Sequence, residues 1–303
     1  MFKTPCDYDD AKADWILKCA DFFEKDLKWK GLNLRPAFIR LLRTSLSLVT
    51  QEWFEKKLSS KESFKDILLD LNQYQKPWKN ALSQFLGINY YKNKIKWFGH
   101  TFETNTKQKP LIAAFHWKHV DYLKRSKLFD TLDPLWLVDS PKMAKDVGLN
   151  NDDLIVPFEM QFKTSNSKFP FNQLHDLANK LNDSLLKIKP SCIFVVEGDS
   201  PYHSILAELG LKLDIPVYCF QWGFFHYNKL RTAFSEMCFT KFLSWGPIFE
   251  DQLRPFNAQQ NFLSFGHLAT PVFSKNANKI IFLSSGNSEM FTQFDHEMFL
   301  KLA

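Results

Sequence analysis

The chain has 303 residues, of which 45% are hydrophobic and 16% aromatic, with 31 phenylalanines; that much apolar material builds a sizeable core and excludes a disordered chain. It has 10 glycines and carries neither a GxxxxGK[ST] nor a GxGxxG run, so the two common glycine loops that cradle phosphates are excluded. The net charge of +6 sits wholly in the first third, where residues 1–110 hold 20 Lys and Arg against 13 Asp and Glu and the remainder holds 19 against 20.

The N-terminus, MFKTPCDYDDAKADW, contains four aspartates and no apolar core, so it is not expected to act as a signal peptide. No run approaches the roughly eighteen apolar residues of a membrane span. Five scattered cysteines, Cys6, Cys19, Cys192, Cys219 and Cys238, lack CxxC spacing and read as free thiols in a reducing compartment. The expected location is the cytoplasm, at most peripheral to the inner face of a membrane.

Residues 11 to about 88 show helical spacing. Trp15, Ile16, Cys19, Phe22 and Phe23 form one stripe, Phe38, Leu41, Leu42 and Leu46 a second, and Phe64, Ile67, Leu68 and Leu71 a third. SSKE at 59–62 fits a capping box for the third helix. Residues 1–108 therefore read as a helical extension whose aromatics, Trp15, Trp29, Trp53 and Trp78 among them, belong to a core. Its basic excess fits an anionic membrane surface or a phosphate-bearing acceptor, while a solvated helix face is the commoner explanation of such a charge. No recognition motif supports nucleic-acid binding.

From residue 109 the texture changes to short apolar runs between helix-like segments. PLIAAF (110–115), PLWLVDS (134–140), DLIVPF (153–158), SCIFVVEGD (191–199), IPVYCFQWG (215–223), KFLSWG (241–246) and NFLSFGH (261–267) read as strands. HWKHVDYL reads as a loop leading to a helix; FNQLHDLANKLNDSLLKI, SPYHSILAELGLKLD and PIFEDQLRPF read as helices. Such alternation predicts an α/β fold with a doubly wound, mostly parallel sheet over residues 109–274. IIFLSSGNS (280–288) and the helix after it read as the opening of a second, incomplete α/β domain over 275–303.

This order of elements resembles the N-terminal half of GT-B-fold glycosyltransferases, especially bacterial surface-polysaccharide transferases and CDP-glycerol glycerophosphotransferases. Non-hydrolysing UDP-N-acetylglucosamine 2-epimerases share the architecture. The carriers are Asp199 at a strand end, Ile215-Pro216, Gln221-Trp222-Gly223, Trp245-Gly246, and Gly266-His267 with Pro271. The resemblance implies an acceptor-side domain that works with a nucleotide-sugar donor and a glycan or lipid-linked acceptor. It implies no cofactor, and it places the donor site mainly in a C-terminal half, so the chain by itself is not expected to turn over a nucleotide sugar. Epimerases of this kind carry glutamate where this chain has Gln221, and an amide cannot exchange a proton as a carboxylate does. A non-catalytic binding or scaffold protein that retains the fold, and an epimerase-like protein, remain the alternatives.

Glycosyl transfer needs a base for the acceptor hydroxyl and groups that stabilise a departing nucleoside phosphate. His116, His119 and Asp121, after the first strand, and Asp199, after the fourth, are the candidate catalytic residues, with Lys118, Glu197, His203, Gln221, Gly223, His226, Ser284 and Ser285 as substrate-binding candidates. Each has a structural counterpart: Asp199 or Ser200 caps the following helix, Gly223 makes a turn with positive φ, and Glu197 is solvated. His119 and its neighbours complete no known metal spacing, so no metal is expected. Asp199 and Gln221, which end consecutive strands, should lie close in space.

Overall fold

The computed structural model describes residues 5–47, 49–74, 109–114, 117–125, 128–129, 132, 134–138, 148, 171–223 and 230–267. The helices are α1 (Pro5–Phe22), α2 (Arg35–Leu46), α3 (Gln51–Leu58), α4 (Phe64–Tyr74), α5 (Trp117–Arg125), α6 (Phe171–Ile188), α7 (Pro201–Leu213) and α8 (Pro247–Leu253). The strands are β1 (Lys28–Trp29), β2 (Leu32–Asn33), β3 (Leu111–Ala114), β4 (Leu135–Val138), β5 (Ile193–Val196), β6 (Val217–Phe220), β7 (Lys241–Ser244) and β8 (Phe262–Ser264). Strands β3 to β8 form one six-stranded sheet in the order β4-β3-β5-β6-β7-β8, and every pair in it is parallel. The fold is therefore α/β.

Strand periodicity sorts the side chains onto two faces. Leu111, Ala113, Ile193, Val195, Val217, Cys219 and Phe242 enter one cluster, which also takes in Phe38, Leu41 and Leu42 of α2, Leu181 and Leu185 of α6, and Leu206 and Leu209 of α7. Ile112, Ala114, Val196, Phe220 and Leu243 enter the other, with Val120 and Leu123 of α5 and Phe129. Runs that are apolar without a break are what two covered faces demand. The larger cluster continues without interruption into Trp15, Ile16 and Phe23 of α1, so the N-terminal helices and the sheet share one core.

Helix α7 lies hard against the sheet. A Cβ on Gly210 would stand 2.3 Å from Val217 Cγ2, so only glycine permits this approach. The helix stops at Asp214 in the left-handed conformation (φ 55°), and Pro216 follows before β6.

Several local expectations are corrected. Residues 117–125, read partly as a loop, form α5. An additional helix, α3, precedes the one expected around Phe64, with Thr50 Oγ1 accepting from Trp53 N. The box at the start of α4 is Ser63 with Asp66, not Ser59 with Glu62: Ser63 Oγ accepts from Asp66 N at 3.3 Å, and Asp66 Oδ2 accepts from Ser63 N at 3.2 Å. Between α1 and α2 the chain makes a two-residue hairpin, β1–β2, whose central Lys30 (φ 48°) and Gly31 (φ 80°) both adopt positive φ, as the tight turn requires. The expected strands at 153–158 and 280–288, Trp78, the boundary at 108 and the whole of 275–303 lie outside the described residues.

Among the described residues no helix is long and apolar enough to cross a membrane.

Candidate functional site

The sheet order reverses between β3 and β5, because β4 lies on the far side of β3. In open parallel sheets this switch point opens a crevice at the strand carboxyl ends. The segments leaving β3, β5 and β6 there carry the candidate site.

Immediately after β5, Glu197 (φ 74°) and Gly198 (φ 77°) both take the left-handed conformation. Glu197 N still donates to Phe220 O at 2.8 Å, so its carboxylate is presented directly from the last rung of the ladder with β6. For a glutamate this backbone is strained by about 1 kcal/mol or more. Gly198 is obligatory: a Cβ there would meet Cys219 Sγ at 2.7 Å and Phe239 Cε2 at 2.9 Å. Ser200 then caps α7. Its Oγ accepts from His203 N at 3.3 Å and its N–H points to His203 Nδ1 at 3.5 Å, with Pro201 in the first turn.

This double turn is clamped from α2. Arg40, wholly buried, donates from Nε to Gly198 O at 3.2 Å, from Nη1 to Pro36 O at 2.9 Å and from Nη2 to Ala233 O. Burial and the neighbouring Arg43 pull its guanidinium down to about 10, so it stays a cation at neutral pH. One turn along, Arg43 Nη2 reaches Asp199 Oδ2 at 2.9 Å and Asp199 O at 3.1 Å. The carboxylate of Asp199 is thereby engaged in an ion pair.

Glu197 faces α5. His119 Nε2 lies 3.6 Å from Glu197 Oε2, and the imidazole, almost wholly buried, packs edge-on against Trp222 with centroids 4.9 Å apart. His203 is also buried, and desolvation, reinforced by His119, drops its pKa to about 3. It is a neutral imidazole that accepts a hydrogen bond in a helix cap.

Further rings continue from Trp222. Tyr122 of α5 meets Trp222 (5.0 Å) and His267 (5.4 Å), and His267 meets Trp245 (4.5 Å). Gln221 ties the strip to the sheet: Oε1 accepts from Trp245 N at 2.8 Å, its main-chain O accepts from Trp245 Nε1 at 3.1 Å, and Nε2 donates to Gly223 O at 3.0 Å.

Of the expected residues, His119, Glu197 and His203 come together, and Asp199 joins them through the β5–α7 turn. The strands that precede Asp199 and Gln221, β5 and β6, are hydrogen-bonded neighbours. The helix cap is Ser200, so Asp199 is not the capping residue. Gln221, 1% exposed and hydrogen-bonded through its amide, braces two tryptophan turns. Gly223 lacks the positive φ expected for it; a Cβ there would meet nothing within 4 Å, and its carbonyl serves Gln221. Lys118 is exposed and Asp121 half-buried, both on α5. His116, His226, Ser284 and Ser285 lie outside the described residues. Among those described, no group of three or more His, Cys, Asp and Glu is placed to hold a metal ion.

Sequence reasoning missed Arg40, Arg43 and the ring strip. Trp222, Trp245 and His267 each stand just past a strand, and that placement was the available signal. Comparison with known proteins adds no name to this site: no family model matches the chain, and no curated protein matches it in sequence.

Proposed function

We propose that the protein is the acceptor-side domain of a glycosyltransferase of surface-polysaccharide synthesis, built on the GT-B plan and working with a nucleotide-activated sugar at the inner face of a membrane. The observation that carries this reading is the His119–Glu197 pair at the switch point of the parallel sheet, presented by a strained glutamate backbone. A carboxylate beside an imidazole can take the proton of an acceptor hydroxyl, which is the step the acceptor side must supply. Asp199, held by Arg43, is assigned to shaping the turn, and His203, neutral and buried, to capping α7.

A second reading is favoured by one observation: Asp199 and Gln221 are both engaged internally. In it the crevice binds a glycan without transforming it.

The experiment is made in the source organism. Loss of the protein, and its replacement by Glu197→Gln, should each remove or shorten the surface polysaccharide on gels of extracted material. Loss of polysaccharide on deletion but not with Glu197→Gln would favour the binding module. Unchanged polysaccharide in both strains would overturn the transferase reading.

A further inference from the structure

We propose that Trp222, Tyr122, His267 and Trp245 form the seat for a pyranose ring of the acceptor glycan, and that Gln221 is the positioning residue of that seat. The inference rests on the function proposed above and names the ligand chemistry of the same crevice.

The first support is position. The rings leave the carboxyl ends of β6, β7 and β8 and the facing helix α5, and they run outward from His119 and Glu197. The second is exposure: Trp222, Tyr122 and Trp245 are half-buried and His267 is exposed, whereas the apolar aromatics beneath, such as Phe220, are buried. The third is rigidity. Both tryptophan turns are bonded to Gln221, through its side chain to Trp245 N and Gly223 O and through its main-chain O to Trp245 Nε1, so the ring positions are set before a ligand arrives.

The arrangement also selects chemistry. The three contacts among these rings are edge-to-face, with interplanar angles of 86°, 66° and 67°, as is the contact of Trp222 with His119 at 64°, which makes a corrugated surface and not a closed stack. A pyranose offers an apolar C–H face to such rings and a rim of hydroxyls to Glu197 and to the imidazole of His267. A nucleotide fits less well. Its phosphates would meet the carboxylate of Glu197, while the nearby guanidinium groups of Arg40 and Arg43 are turned to Gly198 O, Ala233 O and Asp199.

The test uses the full chain, with oligosaccharides of glucose, galactose, rhamnose and N-acetylglucosamine, and with uridine and cytidine diphosphates as competitors, followed by ligand-observed NMR and calorimetry. At least one oligosaccharide should bind. Trp222→Ala and Trp245→Ala should weaken it about tenfold or more, Trp222→Tyr only a few-fold, and Trp29→Phe, remote from the strip, not at all. Gln221→Ala should weaken binding although it removes no ring. Trp222→Tyr preserves an aromatic face and keeps the comparison meaningful if an alanine variant does not fold. Absence of binding across the panel, equal affinity in folded Trp222→Ala and Trp245→Ala, or binding of the diphosphates alone at the strip would overturn the proposal. If Glu197→Gln abolishes polysaccharide in cells while sugar affinity ignores Trp222, the seat fails and the transferase reading stands. If the strip binds sugar and polysaccharide is unaffected, the converse holds.

Discussion

Arg43 on α2 holds Asp199, 156 residues further along the chain, through one guanidinium nitrogen that lies 2.9 Å from the carboxylate and 3.1 Å from the same residue's carbonyl. The side chains are 20% and 13% exposed, so this contact is neither a surface salt bridge nor a fully desolvated one. Arg43→Ala should destabilise the fold by about 2 kcal/mol, and Asp199→Asn by less, because the amide still leaves the carbonyl for Arg43. A double-mutant cycle in urea should give a coupling of about 1 kcal/mol. Additive losses would show that the pair is incidental.

His203 sets an acid limit on stability. Its imidazole is near 3 in the folded protein and about 6.5 when unfolded, so below about pH 6.5 the unfolded chain binds a proton that the native chain refuses. Stability is therefore present above that pH and falls as the pH drops toward 3, by up to about 1.4 kcal/mol per unit from this group alone. His203→Gln keeps an acceptor for Ser200 N and does not titrate. Urea midpoints between about pH 7 and 4.5 should show a shallower slope for this variant. An unchanged slope would mean that the native imidazole reaches a proton after all.

Gly198→Ala combines a left-handed backbone with a collision against Cys219 and Phe239. The expected loss is about 2–4 kcal/mol. Because Arg40 bonds to Gly198 O, the displacement should also disturb the cap of α7, read as faster amide exchange at Ser200 and His203. A variant with unaltered melting temperature would contradict the close approach.

Gln221→Ala removes the acceptor of Trp245 N–H in an interior that is 1% exposed at that residue, a loss of about 2 kcal/mol. The near-ultraviolet circular dichroism from the tryptophans should weaken with it. Gln221→Glu retains the acceptor for Trp245 but sets a carboxylate oxygen against Gly223 O, so it too should destabilise and should create no epimerase activity.

The sheet was readable because its signal is local. LIAA, IFVV and VYCF are short apolar runs, and two covered faces leave no room for polar alternation. FNQLHDLANKLNDSLLKI likewise announces all of α6 through one stripe. Helix α5 was partly hidden because His-Trp-Lys-His-Val-Asp opens with polar residues before Val120 and Leu123 declare a buried face. The hairpin was hidden because strands of two residues have no period to detect. At the site, Glu197 was legible as a polar residue at a strand end, and His119 as one of a cluster of polar residues soon after one. Arg40 and Arg43 were not: their placement among apolar positions of α2 suggests only a helix surface, and their partners are set by tertiary packing. The basic excess of the first third, expected to face outward, is in part engaged within the fold, by Arg40 with main-chain carbonyls, by Arg43 with Asp199 and by Arg35 with Glu236.

Arg40 gives this architecture an unusual indivisibility. Its three donors join a carbonyl of its own helix, a carbonyl at the tip of β5 and a carbonyl of the π-helical turn Leu230–Phe234. A fragment that began at the sheet would leave Gly198 O and Ala233 O without that donor, and it would take α2 away from α7, against which it packs. The crevice is thus a joint product of the first fifty residues and the sheet, and any transplant or dissection of this site has to carry α2 along with it.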